Sequence, residues 1–476
     1  MPLQKATSLD GIFAAFDPAP LTISEVSGDF YVPEVNLTRG SDRIEQLALS
    51  LSRAHGKSFS KAFVMGHAGV GISTELTRLE SEIAGKFRVL RLSANTDFDP
   101  VNFRPFDVIL RIALNIAERT AQPVEKGGAG ARIADELVRK VLDWFAAEKV
   151  TVNTDYDVSL SGKAVAGPGS DSWWAKLLGL YANISAEAKT SSGRSKEVIE
   201  YRDKRIIELL SLANEVLDAC NTLLRANTGL DWLVIGDDFD KPGIPPDRLK
   251  DFFITYGNII RDLHVHLILD LPVSLGHSSV SNSLPRNFGK PHIFPDTPVY
   301  QQDHTPHVKG RKAIRRIIET RANLTLFGKG QAERLIVASG GNLRDLFGLI
   351  FESATHAALR SSGPRSIQLA DVNPALALYR KTYRDQLGSS NYDQEIVTFE
   401  DKLKKLIAVY KGTPGSDVPD PVLYSLLHAR AIQEFNGDFW YGLHPLTVDF
   451  LDRFKDEADL APLRDPGTSL LPGGTL

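Results

Sequence analysis

Apolar residues recur along this chain in two rhythms. Over residues 41 to 55 (SDRIEQLALSLSRAH) they fall at helical spacing, with Ser41 as the expected N-cap. Ala62 to Met65 form a short apolar run that reads as a strand, followed by a glycine-rich turn and a helix from about Gly71 to Ile83. FRVLRLSAN, 87 to 95, has the β-branched and leucine content of a buried strand. Residues 103 to 120 and 130 to 148 read as amphipathic helices, and a long helix over 196 to 226 ends before Gly229. WLVIG (232 to 236) and VHLILDL (265 to 271) supply two more strands. Strand, glycine turn, helix, strand, helices, strand is the rhythm of a parallel α/β sheet covered on both faces. The pattern turns helical over 309 to 360. A last unit at 396 to 453 reads as a helix, a loop holding Pro414, Pro419 and Pro421, a helix over 421 to 434 and a wing-like turn, NGDFWYG.

Composition narrows the picture. A chain of 476 residues suggests two to four domains. No apolar run approaches the roughly 18 residues that a membrane span needs, and MPLQKATSLDGIF lacks the basic and apolar segments of a secretory signal. The single cysteine, Cys220, excludes a disulfide framework and fits a reducing compartment, so a cytoplasmic protein without a membrane is expected. Net charge is −4, which offers no global basic field to nucleic acid. Residues 150 to 195 shift to Gly, Ser and Thr with little periodicity and read as an insertion holding a possible hairpin and the pair Trp173-Trp174.

The chemistry concentrates in Gly66-His-Ala-Gly-Val-Gly71-Ile72-Ser73-Thr74. A phosphate loop needs glycines so that backbone N–H groups can close on the anion, and the following helix N-terminus adds positive dipole. Gly66, Gly71 and Ser73 hold the spacing of G-x-x-x-x-G-K-[ST], but Ile72 stands where the lysine belongs. The glycine spacing alone is weak; its place between an apolar strand and an amphipathic helix strengthens it, and a ligand-free glycine turn is the bland alternative. LVIGDDFDK ends a strand in two carboxylates, Asp237 to hold Mg²⁺ and Asp238 to polarise the attacking water. A helix cap or solvated turn would look the same. In SGGNLRDLF, Asn342 can cap a helix whose first turn carries Arg344; a cation there suits an anionic partner, or is a surface arginine.

In that order, GHAGVGISTEL, VIGDDFDK, LDLPVSL and SGGNLRDLF resemble the bacterial AAA-family P-loop ATPases related to the Orc/Cdc6-like branch of AAA+ and STAND proteins, over about residues 30 to 453. YVPEVNLTRGSDRIEQL resembles their adenine-contacting segment and LLHARAIQEFNGDFWYGLHPLTVDFL their winged helix. Residues 1–29, mixed and proline-containing, read as an irregular lead-in and 461–476 as a flexible tail; between them the resemblance implies a P-loop domain at 30–300 with its insertion at about 150–195, a helical lid at 301–385 and a winged-helix-like domain at 396–453. It implies ATP and Mg²⁺ as cofactors, with Gly66, Gly69, Gly71, Ile72, Ser73 and Thr74 at the nucleotide, Ser73 and Asp237 at the metal, and Asp238 and Arg344 as catalytic groups. Asp270 falls at the sensor-1 place, an unusual acid beside phosphates, and Arg286 is a candidate arginine finger for a neighbouring subunit.

Three functions compete. The first is a regulatory ATPase, hydrolysis impaired at Ile72, whose nucleotide state gates assembly into a homo-oligomer or binding of a protein effector; by family analogy its setting is bacterial anti-phage defence. The second is a non-catalytic scaffold acting through the winged-helix-like domain. DNA binding is disfavoured, because residues 381 to 476 hold 10 Lys and Arg against 15 Asp and Glu, a net of −5. Lys61 and Arg78 are expected to point away from the loop. His264 and His266 share one side of a strand, where buried or edge histidines are the blander reading than a metal pair.

Overall fold

The structure, a computed structural model, describes residues 3–100, 103–131, 133–152, 205–239, 243–363, 365–390, 393, 396–435 and 440–451. The expected insertion hairpin, Trp173-Trp174 and the 461–476 tail lie outside the described residues. Five parallel strands form the central sheet: β1 (Lys61–Met65), β2 (Phe87–Ser93), β3 (Asp231–Asp237), β4 (His266–Asp270) and β5 (His292–Ile293), in the order β2-β3-β4-β1-β5. Val64 lies opposite Asp270 and Ser93 opposite Asp237, so the strands finish together along one edge.

Burial on both faces explains the continuous apolar runs. Trp232 and Val234 of β3 pack into one cluster with α4 (Pro105–Ala121) and α6 (Ile206–Thr228), while Leu233 and Ile235 pack into another with α2 (Arg43–Ala54) and α3 (Ile72–Ile83). Each such side chain contributes about 1.5–3 kcal/mol by leaving water. Helix α5 spans Asp135–Val152. Gly229, at φ 74°, ends α6 in the left-handed conformation that a side chain would resist. Helix α2 is capped by Asp42 and not by Ser41: the Asp42 carboxylate accepts from Ile44 N at 3.0 Å and Glu45 N at 3.2 Å, and pairs with Arg78 at 2.7 Å.

The lead-in departs from the irregular segment expected. Its α1 (Leu9–Ala15), with Phe13 and Phe16, buries apolar positions spaced three and four apart against the lid, Phe16 meeting Phe347 edge-to-face at 5.4 Å. The lid comprises α7 (Val308–Arg321), α8 (Gln331–Ala338), α9 (Leu343–Leu359) and α10 (Leu369–Gln386) around Leu335, Ile336, Leu346 and Leu349. The C-terminal unit holds α11 (Phe399–Tyr410), α12 (Pro421–His428), the antiparallel pair β6 (Ile432–Phe435) and β7 (Trp440–Leu443), and α13 (Pro445–Leu451). The helix expected over 421–434 therefore stops at His428. Arg430 turns the chain at φ 55°, and IQEF goes to strand because β7 satisfies its backbone.

Candidate functional site

β1 delivers the chain to residues 66–71 at the C-terminal edge of the sheet. Gly66 is there for packing: a Cβ would strike the Phe294 carbonyl of the neighbouring chain segment. Gly69 (φ 96°) and Gly71 (φ 100°) adopt the left-handed region, and a Cβ on Gly69 would also collide with Arg344 and with the Asn342 side-chain oxygen.

Hydrogen-bond accounting shows what the loop is for. The carbonyls of residues 67 to 71 are taken by the loop itself or by neighbouring protein groups. His67 O accepts from Val70 N at 3.1 Å, Ala68 O from Asn342 Nδ2 at 3.1 Å, Gly69 O from Leu343 N and Arg344 N at 3.1 and 3.3 Å, Val70 O from Arg39 Nη2 at 2.8 Å, and Gly71 O from Glu75 N at 3.0 Å. Among the described residues no acceptor is recorded for the N–H groups of Ala68, Gly69 and Gly71. The first turn of α3 adds those of Ile72, Ser73 and Thr74, which a helix start cannot satisfy internally. A loop with its acceptors filled and its donors open is a nest for an anion.

That loop floors a cavity of about 420 Å³. The cavity brings together Gly69, Gly71, Ile72, Ser73, Thr74, Asp237, Asp238, Asp270 and Arg344, while Gly66 sits behind it. Asp238 takes φ 70°, unusual for a residue with a side chain, and its carboxylate accepts from Ser93 Oγ at 2.5 Å. Asp237 accepts from Asp238 N at 2.8 Å and lies 4.0 Å from Arg91. Thr74 Oγ1 also serves the lead-in, accepting from Leu21 N at 3.2 Å. Residues 17 to 21 of the supposedly separate lead-in thus wall the cavity.

Ile72 is the decisive departure. Its side chain packs against the apolar cluster under α2 and α3, and would lie 3.3 Å from a Cβ on Gly66. Neither Lys61 nor Arg78 replaces the lysine. Lys61 Nζ donates to Leu263 O at 2.6 Å and to Val265 O, and burial draws its pKa down to about 7; Arg78 is bound to Asp42 and Glu82, each at 2.7 Å. Arg286 is exposed, on a short helical turn before Phe288, and is not among the cavity-lining residues. His266 is buried and takes Ser60 N on its ring at 3.1 Å, while His264 meets Asp218 at 2.8 Å; both rings contact Phe59.

Two buried arginines escaped the sequence reading. Arg39 binds Val70 O and, at 3.2 Å, Thr297 Oγ1; Arg321 donates to Phe30 O at 3.3 Å and stacks over Phe347 at 5.1 Å, and burial lowers its pKa to about 10. Only Arg39 carried a signal, its place in YVPEVNLTRG, four of whose residues (Tyr31, Val32, Val35 and Arg39) line the cavity. Glu75 is buried beside them. Burial raises its pKa against the pull of Arg39 and of the Asn36 amide, which donates at 3.0 Å.

A parallel sheet whose first strand runs through a glycine loop into a helix, with carboxylates ending the next strands, settles the architecture. The fold is that of a P-loop NTPase with a helical lid. No protein-family model matches the chain, and no curated protein matches it either. Two solved structures are similar over most of its length. One is Cdc6p from Pyrobaculum aerophilum, 14% identical over 94% of this chain and 97% of that one, with a TM-score of 0.39. The other is the Walker-type ATPase PABY2304 of Pyrococcus abyssi, 12% identical over 92% and 99%, with a TM-score of 0.42. Both likenesses are too distant to carry a functional conclusion. Among the described residues no helix is long and apolar enough to cross a membrane.

Proposed function

We propose that this chain is a nucleotide-binding regulatory protein that takes Mg-ATP in the loop cavity and hydrolyses it poorly. One observation carries the reading: the carbonyls of residues 67 to 71 are occupied, while Ala68, Gly69 and Gly71, whose N–H groups find no acceptor among the described residues, line a cavity of nucleotide size. The residues fit the cofactor. Ser73 and Asp237 offer hard oxygen donors for Mg²⁺, which would neutralise phosphate charge, and Asp238, also on the cavity wall, is the group that would polarise an attacking water. A cation is needed, because five carboxylates, Asp17, Glu75, Asp237, Asp238 and Asp270, line the cavity against three arginines, Arg39, Arg321 and Arg344. The apolar walls at Val32, Val35, Ile317 and Phe347 suit a base.

Ile72 carries no charge to place against the β- and γ-phosphates. Binding through the backbone survives such a change better than rate does, because the lysine acts most where transition-state charge develops. Nucleotide state then serves as a signal that gates assembly or an effector, and the acidic C-terminal region points to a protein partner. The anchored Ile72 side chain also favours a second reading, a scaffold without turnover. Calorimetric titration of Mg-ATP into the protein and into Ile72→Lys, with phosphate release followed in parallel, decides between them. Binding without turnover, restored in the variant, supports the regulatory reading. No binding in either protein leaves the scaffold.

A further inference from the structure

A carboxylate outside the cavity joins three parts of the fold. Asp296, 1% exposed, lies just after β5 and accepts from His67 Nδ1 of the loop at 3.1 Å, from Asn342 Nδ2 of the lid at 2.9 Å and from Gln433 Nε2 of β6 at 2.7 Å. Burial opposes its ionisation, but the bonds from His67, Gln433 and Asn342 outweigh that and hold its pKa below the usual carboxylate range. An ionised carboxylate only accepts, so the imidazole Nδ1 carries a proton toward it. The Gln433 amide is fixed in the same way. Its nitrogen meets two acceptors, Asp296 and, at 3.1 Å, Gly340 O.

The contact is not confined to one side chain. Arg430, just before β6, reaches Asp345 of α9 at 3.3 Å and lies 3.5 Å from Ala68 O of the loop. His444, just after β7, is fully buried, donates from Nε2 to Ser339 O at 3.1 Å, and occupies the space that a Cβ on Gly340 would need. The lid turn Ser339-Gly340-Gly341 is therefore clasped between the loop's support and the C-terminal unit. Among the described residues, each bond from loop to C-terminal unit runs through a residue, Asp296 or Arg430, that also holds the lid.

We propose that Asp296 is the positioning residue through which an occupied phosphate loop controls the seat of β6, and so presents or withdraws the C-terminal unit. The inference rests on the nucleotide reading above. An anion drawn onto the N–H groups of Ala68 and Gly69 moves the peptide units whose carbonyls, His67 O and Ala68 O, accept from Val70 N and Asn342 Nδ2, and moves His67 with them. Asp296 passes that displacement to Gln433. Reciprocity requires that unseating β6 alter nucleotide release by the same free energy.

Hydrogen exchange of the full chain tests this, reading the amides of 430–435 with and without Mg-ATP or Mg-ADP, while calorimetry reads binding. The expected result is at least fivefold slower or faster exchange in 430–435 on binding. Gln433→Leu should still bind nucleotide and lose that response. Asp296→Asn should lose it too and likewise still bind nucleotide. Loss of the response with binding kept is an effect that a merely structural bond would not give. Should Gln433→Leu fail to fold, Asp296→Asn carries the test alone. Nucleotide binding that leaves 430–435 unchanged, or a wild-type response in Gln433→Leu and Asp296→Asn, overturns the inference while the nucleotide reading stands. No binding by the wild-type chain overturns both.

Discussion

The two ends of the central sheet treat their charged residues in opposite ways. At the N-terminal end Asp231 is fully buried and surrounded by donors: Gly56 N at 2.8 Å, Arg225 Nε at 2.8 Å and His266 Nε2 at 3.5 Å. Burial opposes its ionisation, yet those partners hold its pKa far below the usual range. Lys61 is likewise spent on the carbonyls of Leu263 and Val265. At the C-terminal end the loop's donors, the strand-end carboxylates and three arginines converge on a cavity instead. Polar groups that complete one another hold a fold together, whereas those arranged around a space await something to complete them. Mutation should therefore separate stability from binding along the length of a strand.

The largest effect expected is at the cavity end. Ile72→Lys should raise phosphate release by roughly two to four powers of ten, since a charge at the phosphates stabilises the transition state by several kcal/mol. Unchanged turnover would place the defect elsewhere. The Lys stem can lie along the apolar surface that Ile72 covers now, so stability should fall by no more than about 1 kcal/mol.

Next comes the opposite end. Asp231→Ala should cost about 1–3 kcal/mol in denaturant unfolding by leaving the buried His266 ring and Gly56 N without their acceptor, with Mg-ATP affinity unchanged within about twofold. A large loss of affinity would break the proposed division between the ends. Arg344→Ala should do the reverse. Its side chain is exposed and lines the cavity, so its loss should weaken Mg-ATP about 100-fold in calorimetry, close to 2.7 kcal/mol, and leave folding largely intact.

The smallest effect sharpens the comparison with the C-terminal seat. Burial holds His444 neutral with a pKa of about 4, and His428 likewise. Between that value and the unfolded value near 6.5 the unfolded chain binds more protons. The stabilisation is thus complete above about pH 6.5 and is lost as pH falls toward 4, about 2 kcal/mol per histidine between pH 7 and 5. Thermal unfolding of His444→Gln at the two pH values should show a smaller drop than the wild type. An equal drop would assign the acid sensitivity to other groups.

What the sequence disclosed follows the same division. β1, β3 and β4 are legible within a residue or so, because strands buried on both faces leave unbroken apolar runs. The loop and Asp237-Asp238 are legible because phosphate chemistry fixes their spacing. Asp296 left no trace: in FPDTPV it is one acid among prolines, and its partners lie more than forty residues away at Asn342 and farther at His67 and Gln433. Arg321 was hidden by the three other arginines of its helix, at 311, 315 and 316, and only the docking of the lead-in shows which of them is buried. The stop at His428 was missed because a strand four residues long, Ile432–Phe435, is too short to announce a period of its own.

Helix α9 begins on a borrowed cap. Its first N–H groups end on Gly69 O as well as on Asn342, and the Asn342 to Ala68 bond closes a chain separation of 274 residues. Such a closure waits until sheet and lid are both nearly formed, since its loop entropy must be met before the bond returns anything. Contacts made that late are also among the first to open. The lid's first turn should therefore be the final piece to form in refolding and the earliest to fray under denaturant, and a tight-binding nucleotide would show itself as a slower unfolding rate before any change in the rate of folding.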